Sequence, residues 1–403
     1  MNAVGIDVSK GRSMVAILRP GGEMIARPYE VSHTEDGLAQ LVTRLKGLPG
    51  ETKVVMEHTG HYFEPIARSL HEAGIFVSVV NALLIHQYGN NSIRKVKTDR
   101  KDAVKLAKYA LDRWAELPAY TAEDENRRML RIYNRQYNQY TKIKVMLKNN
   151  LIALLDQTFP GVNTLFSSPA REDGHEKWVD FAAKFWHCQE VTKLSERAFK
   201  ERYAKWCKRN GYRYADDAAG RIYAAAQSQV GVLPANAATK YLVTQAIKQL
   251  NAVAGTLAAV GREMRRLASL LPEAAVVEQM YGVGPTLGPQ LIAEIGDVRR
   301  FHSKKALVAF AGIDAPPYQS GNFDAKKRAI SKRGSPALRK VLFQTICGIL
   351  RLGSPDSEVY QYLAKKRAEG KHFYVYIMAG ANKFLRIYYA RVTEYLRGLD
   401  SPA

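Results

Sequence analysis

Four acids in this 403-residue chain stand where carboxylates need a reason to be. Asp7 interrupts the apolar run VGIDVS, and a carboxylate among apolar neighbours needs a partner or a metal ion. Glu57 ends the apolar run KVVME, just before HTG. Asp99 and Asp102 lie three apart in VKTDRKDAVKLA, among Arg94, Lys95, Lys97, Arg100 and Lys101. On a helix, residues three apart share a face, and acids favour a helix N-terminus. The pair therefore reads either as a solvated first turn or as half of a metal site. Four carboxylates make an all-oxygen donor set suited to Mg²⁺. Two such ions can hold a phosphodiester and stabilise both its attacking and its leaving oxygens. On that reading the acids serve the metal and the neighbouring bases hold the phosphate backbone.

For the four acids to meet, residues 1–118 must form an α/β unit with a mixed sheet. AVGIDVS, RSMVAILRP and EMIARPYEVS, with a Gly21-Gly22 turn, read as three consecutive strands. A helix after Ser32, the strand KVVME, a helix around FEPIARSLHEAG and the strand IFVSVV follow. TDRKDAVKLAKYALDRW closes the unit as a helix capped by Thr98. Strands one and four are expected side by side, with Asp7 and Glu57 at their ends and the last helix reaching them.

The period then lengthens. In residues 119–272, Leu130, Tyr133, Tyr137, Tyr140, Leu147, Leu151 and Leu154 follow 3/4 spacing, broken once at Lys144. A cleaner heptad runs through Val243, Ala246, Leu250, Val253, Leu257, Val260, Met264, Leu267 and Leu271. Two long helices follow from this, pairing within the chain or between subunits as a coiled coil, or simply burying a core face. Residues 160–235 hold three of the four tryptophans and read as a mostly helical insertion without a motif.

Residues 273–403 read as mainly helical. Gly282 and Gly284 in YGVGPTLGPQLIAEIGD form a turn opening a helix, which is either a backbone phosphate site or a plain loop. From Gly321 to Lys340 there are seven basic residues against one acid, a positive patch containing Lys326, Lys327, Arg328, Lys332, Arg333 and Arg339. Three serines sit in or beside it. Ser335, before Pro336 and an apolar helix, reads as a helix cap. Ser331 can offer its hydroxyl to a phosphate, and Ser320 in PPYQSGN lies on a turn-rich loop.

A net charge of +22, from 60 Lys and Arg against 38 Asp and Glu, favours a polyanionic partner. No apolar run is long enough to span a bilayer, and the N-terminus reads as a strand rather than a signal peptide. Three well-separated cysteines indicate neither a disulfide framework nor a zinc site. A reducing cytoplasm is the expected home.

A first-strand GID, a strand ending in Glu before TG, and a helical TDRKDA together resemble the RuvC-like (RNase H-like) domain of the DEDD insertion-sequence transposases, which are bridge-RNA-guided recombinases. GVGPTLGPQLIAEIGD, FAGI, YQSG and SKRGSPALRK resemble that family's second, transposase-type domain. The resemblance implies Asp7, Glu57, Asp99 and Asp102 as ligands of two Mg²⁺ ions and Ser320 as nucleophile, with a covalent phosphoserine intermediate. It further implies donor and target DNA as substrates and a structured guide RNA as partner. A homo-oligomer assembling from dimer to tetramer, associated with the bacterial nucleoid, is also implied. A hydrolytic nuclease of the Holliday-junction type, with water as nucleophile and Ser320 structural, is the alternative. A non-enzymatic nucleic-acid organiser would not need all four acids.

Overall fold

The computed structural model describes residues 1–58, 60–88, 98–317, 319–320, 323–324 and 328–400, and divides into two compact units, residues 1–123 and 124–403. The first unit is α/β. Its strands are β1 (Asn2–Val8), β2 (Arg12–Leu18), β3 (Met24–Ser32), β4 (Thr52–Glu57) and β5 (Phe76–Val80), interleaved with α1 (Glu35–Lys46), α2 (Glu64–Glu72), α3 (Ala82–Tyr88) and α4 (Asp99–Asp112). Sheet order is β3-β2-β1-β4-β5. β1 runs antiparallel to β2 but parallel to β4, in the register Val4↔Val54 and Ile6↔Met56. The expected adjacency of strands one and four is observed; α3 was not anticipated.

Alternation sorts the side chains of this sheet onto two faces. Val4, Ile6, Val8, Val54 and Met56 pack with Leu41 and Leu45 of α1 and Ile66 and Leu70 of α2. Ala3, Val55 and Val80 pack on the other face with Leu106 and Ala110 of α4 and Ile85 of α3. The helices begin as their caps dictate. Thr34 accepts a hydrogen bond from the Gly37 amide (3.2 Å) and Thr98 from the Lys101 amide (3.3 Å), which satisfies otherwise orphaned donors.

The second unit is largely helical. It begins with α5 (Glu125–Leu155), then α6 (Lys177–Lys184), α7 (Gln189–Thr192), α8 (Glu196–Arg209), α9 (Asp216–Ser228) and α10 (Ala237–Ser269). It ends with α11 (Ala274–Glu278), α12 (Leu287–Ile295), α13 (Lys304–Ala311), the short strands β6 (Gln319–Ser320) and β7 (Phe323–Asp324), α14 (Pro336–Leu352), α15 (Glu358–Ala368) and α16 (Phe373–Asp400). The two long helices, α5 and α10, pack along one another within the chain. The buried stripe of α10 differs from a strict heptad: Val243, Ile247, Leu250 and Ala254 are buried where Ala246 and Val253 were expected. Near its middle α10 also packs against α6, with Asn251 donating to Asp180 (3.1 Å), which widens and turns its apolar face.

Two cores flank this helix pair. Leu151, Leu155, Val243, Ile247 and Leu250 join an aromatic core of the insertion, in which Phe181 stacks on Phe185 at 4.7 Å and Tyr203 on Trp206 at 5.7 Å. Leu130, Met264 and Leu267 join the core of α11–α16. Arg127 and Glu273 form a doubly hydrogen-bonded ion pair, buried at the α5 end of this second core, with its longer bond at 2.8 Å. Removing one partner of such a pair costs about 3–5 kcal/mol. Cys188 and Cys207 are buried, Cys347 half-buried, and all are free thiols. Among the described residues no helix is long and apolar enough to cross a membrane.

Candidate active site

Asp7 and Glu57 stand near the C-terminal ends of β1 and β4, one residue beyond the last pair that these two strands share, Ile6↔Met56. Asp7 shares its strand face with Ala3 and Gly5, and Glu57 shares its face with Val55. Both carboxylates therefore belong to the side of the sheet that α4 covers.

Gly5 explains how close that cover is. A Cβ built on Gly5 would lie 2.1 Å from the Ala103 carbonyl oxygen and 2.3 Å from the Ala107 nitrogen. The helix backbone thus rests directly on the strand. Gly5 meets Ala103, Leu106 and Ala107, while Lys53, the β4 partner of Ala3 two residues back along β1, donates to the Trp114 carbonyl just beyond the end of α4 (2.9 Å). The helix consequently runs antiparallel to the strand, and its acidic first turn points toward the end that carries Asp7. Asp99 is exposed and Asp102 half-buried in that turn. Asp7 and Glu57 are both half-buried.

The four acids thus gather at one end of one sheet face. They do not converge into a ligand cage: among the described residues no three His, Cys, Asp or Glu side chains stand close enough together to hold a metal ion. The Asp99–Asp102 turn is instead accommodated as a helix N-terminus, where solvent and the helix dipole stabilise negative charge. Of the bases near it, Arg100 and Lys101 are exposed; Arg94, Lys95 and Lys97 lie outside the described residues. His58 and His61 are exposed beside Phe63 and Tyr62, with ring centroids at 4.9 and 4.4 Å.

Ser320 lies in β6, paired antiparallel with β7 as Ser320↔Phe323. The chain on either side of this hairpin is held by a tight base. A Cβ on Gly334 would lie 2.1 Å from the Phe310 carbonyl oxygen and 2.5 Å from the Gly312 nitrogen, so residues 310–314 and 331–335 touch backbone to backbone. The Ser331 amide donates to the Asp314 carbonyl (2.8 Å), the Lys332 amide to the Gly312 carbonyl (3.0 Å) and the Ser335 amide to the Phe310 carbonyl (2.7 Å). The Ser331 hydroxyl, which the sequence offers to a phosphate, donates to the Asp314 carboxylate at 2.5 Å. Arg339, also assigned to phosphate, donates to the Ala311 carbonyl at 3.0 Å. Lys332 adopts a left-handed conformation, φ 54°, alone among the described non-glycine residues. Arg328, Lys332 and Arg333 are exposed; Lys326 and Lys327 lie outside the described residues.

Ser335 caps α14, as expected, its oxygen accepting from the Leu338 amide at 3.1 Å. It also hydrogen-bonds to buried Glu294 of α12, which accepts from Asn134 (2.7 Å) and Arg135 (2.9 Å) of α5. Burial pushes the Glu294 carboxyl above its usual range, against the opposing pull of Arg135. Gly282 has φ 80°, and a Cβ there would meet Ile349 at 2.2 Å; it serves a close turn over α14. Gly284 faces open space on its Cβ side, and its carbonyl accepts from the Leu287 and Gly288 amides at the start of α12.

Sequence reasoning missed Gly5, Asp314, Gly312 and Gly334. A glycine inside a strand pattern signals close backbone approach, so Gly5 was open to discovery. The loop base was not, because its two halves are brought together only by folding.

Two family models match this chain. One, described as Transposase and of the DEDD IS110 type, covers residues 4–160, including all four acids. The other, described as Transposase IS116/IS110/IS902 family, covers residues 274–361, including Ser320 and the loop base. The chain belongs to the IS110 family of insertion-sequence transposases. Its similarity to an insertion element IS116 protein of Streptomyces clavuligerus is 24% identity, over 91% of this chain and 88% of that one. A pilin gene-inverting protein of Moraxella bovis is 21% identical over 85% of this transposase and 80% of its relative. Among solved structures, the complex described as T. thermophilus RuvC with Holliday junction substrate matches at 12% identity and a TM-score of 0.23, over 30% of this chain and 99% of that one. The N-terminal unit of this transposase is the mixed-sheet part, and the C-terminal part is helical.

Proposed function

We propose that this transposase cuts and rejoins DNA through the hydroxyl of Ser320, assisted by divalent metal held by Asp7, Glu57, Asp99 and Asp102. The observation that carries the acid half is the common address of the four carboxylates: two adjacent parallel strand ends and a helix N-terminus packed against the same face. Hard oxygen donors alone fit Mg²⁺, which keeps waters and takes few protein ligands beside its phosphate. When bound, the metal supplies charge neutralisation at the scissile phosphate.

Ser320 Oγ attacks phosphorus, the Oγ–P bond forms, and the P–O bond to the departing sugar breaks. The serine proton ends on that sugar oxygen. Attack by a second DNA hydroxyl on the phosphoserine reverses these changes, restores the serine and joins new ends. One diester replaces another throughout, so bond energy is conserved without a high-energy cofactor. Such exchange is the chemistry an inversion requires, and one relative is named for inverting a pilin gene. Choice of sequence is delegated to a structured guide RNA paired with donor and target, while the exposed bases around both sites hold backbones. The working form is a homo-oligomer.

Covalent trapping tests this reading. The protein, expressed with its flanking noncoding DNA, is given donor and target duplexes with Mg²⁺ and run on a denaturing gel. A DNA–protein adduct is expected in the wild type and absent from Ser320→Ala and Asp102→Ala. Cleavage without an adduct, indifferent to Ser320→Ala, would replace the recombinase by a hydrolytic nuclease of the Holliday-junction type.

A further inference from the structure

The entry to α16 is exposed in a way a buried helix end is not. Every residue from Arg367 to Val375 is exposed, yet the run holds Phe373, Tyr374 and Val375, which are 39%, 62% and 56% exposed. Phe343 of α14 gathers the rings. Its centroid lies 6.3 Å from Phe373 and 6.2 Å from Tyr374, the latter inclined by only 25°, and His372 lies 5.8 Å from Tyr374. Phe373 also meets buried Tyr376 edge-on at 5.5 Å, so the cluster is fixed to the core on one side and wet on the other. Lys365, Arg367 and Lys371 are exposed on the same helical corner.

Contiguous exposed rings of this kind mark a binding surface rather than a solvated one. The exposed cations in the chain just before the cluster select the ligand: phosphates satisfy the lysines and the arginine, while unstacked bases satisfy the ring faces. Paired bases cannot reach such a platform, because their faces are already stacked within the duplex. Phe343 stands four residues after Arg339, on the same face of α14, and Arg339 holds the base of the Ser320 loop. One helix therefore supports both the loop and the platform.

We propose that the α14–α16 corner binds unpaired nucleotides, stacking bases on Tyr374 and Phe373 while Lys371 and Arg367 take the phosphates. This rests on the chain handling nucleic acid and is independent of which group is the nucleophile.

The test is equilibrium binding of the full-length protein to oligothymidylate, oligouridylate and duplex DNA. Tyr374→Ala is expected to weaken both single strands about tenfold and to leave duplex affinity within about twofold. Tyr374→Phe should retain wild-type binding, and Lys371→Ala should lower the salt slope for single strands by about 0.7. Tyr241→Ala, at an equally exposed tyrosine of α10 (65%), should change nothing. Preference for one single strand over the other identifies a DNA or an RNA occupant. Unchanged single-strand affinity in Tyr374→Ala, or an equal loss on duplex, overturns the proposal. A change in sedimentation with binding intact assigns the corner to contact between copies instead. If the wild type binds duplex but neither single strand, the platform fails while the nucleic-acid reading stands; if it binds none of the three, both fail.

Discussion

The acid edge of the N-terminal unit and the serine loop of the C-terminal unit hold the groups proposed to react by opposite means. Asp7, Glu57, Asp99 and Asp102 sit on strand ends and a helix turn, and regular hydrogen bonding places them. Ser320 sits on a hairpin of two-residue strands, and placement falls to the base beneath it, where Gly334 and Gly312 let two segments touch. Sites on strands and helices are positioned more finely than sites on loops. The acids therefore need little beyond correct folding of their unit, whereas the serine depends on a small number of contacts that could fail while the helices around them stand.

Asp7→Ala tests the acid edge directly. Recombination is expected to fall by about a thousandfold or more, with duplex binding and thermal stability kept, as read by product formation beside a binding titration. Retained activity would remove the acid edge from the chemistry. Next come two glycines with similar steric demands. Gly334→Ala should part the loop base and cost about a hundredfold in recombination, while helical circular dichroism is unchanged. Gly5→Ala should instead push α4 off β1 and destabilise the N-terminal unit by about 2–3 kcal/mol, visible as an early thermal transition. Equal behaviour of the two variants would erase the distinction between a site held by its elements and one held by its loop base.

A smaller effect sharpens the same contrast. Lys332 is held left-handed at the loop base, a conformation that costs a non-glycine residue about 1–2 kcal/mol. Lys332→Gly should raise the melting temperature while weakening nucleic-acid binding, since it relieves backbone strain and removes an exposed cation. A lower melting temperature would show that the lysine side chain supports the loop.

The smallest expected effect concerns Glu294, behind Ser335. Its pKa is raised in the folded protein by burial. In the window just above the usual glutamate pKa the folded carboxyl therefore binds a proton that the unfolded one has lost. Stability from this group is gained as pH falls through the raised folded pKa, is complete below the unfolded value, and is lost as pH rises. Glu294→Gln should flatten that part of the stability–pH curve, most simply seen by denaturant unfolding at pH 7 and near pH 4. An unchanged curve would mean that Arg135 and Asn134 compensate the burial in full.

Much of the acid edge was legible before folding. A carboxylate inside VGIDVS, another closing KVVME and a capped TDRKDA give the elements and the ends on which the acids lie, because alternation, caps and helical spacing are local properties. So too were the Ser335 cap and the two long helices. The α10 stripe departs from the expected heptad: Ile247 and Ala254 are buried, whereas Ala246, Val253, Leu257 and Val260 are half-buried. Periodicity alone cannot register a second neighbour such as α6. Ser331 and Arg339 looked available to phosphate, but they donate to Asp314 and to the Ala311 carbonyl.

The α/β unit, the succession of its strands along the chain, the four candidate acids and the excess of positive charge are all legible in the amino-acid sequence. These follow from residue patterns within a few turns of chain. Folding alone seats α4 on β1 at Gly5, brings Asp314 and Gly312 to Ser331 and Gly334 across the serine loop, and gathers Phe343, Phe373 and Tyr374 at one exposed corner. Each of those facts is a contact between segments distant along the chain, and no local pattern encodes which distant atoms will be within reach.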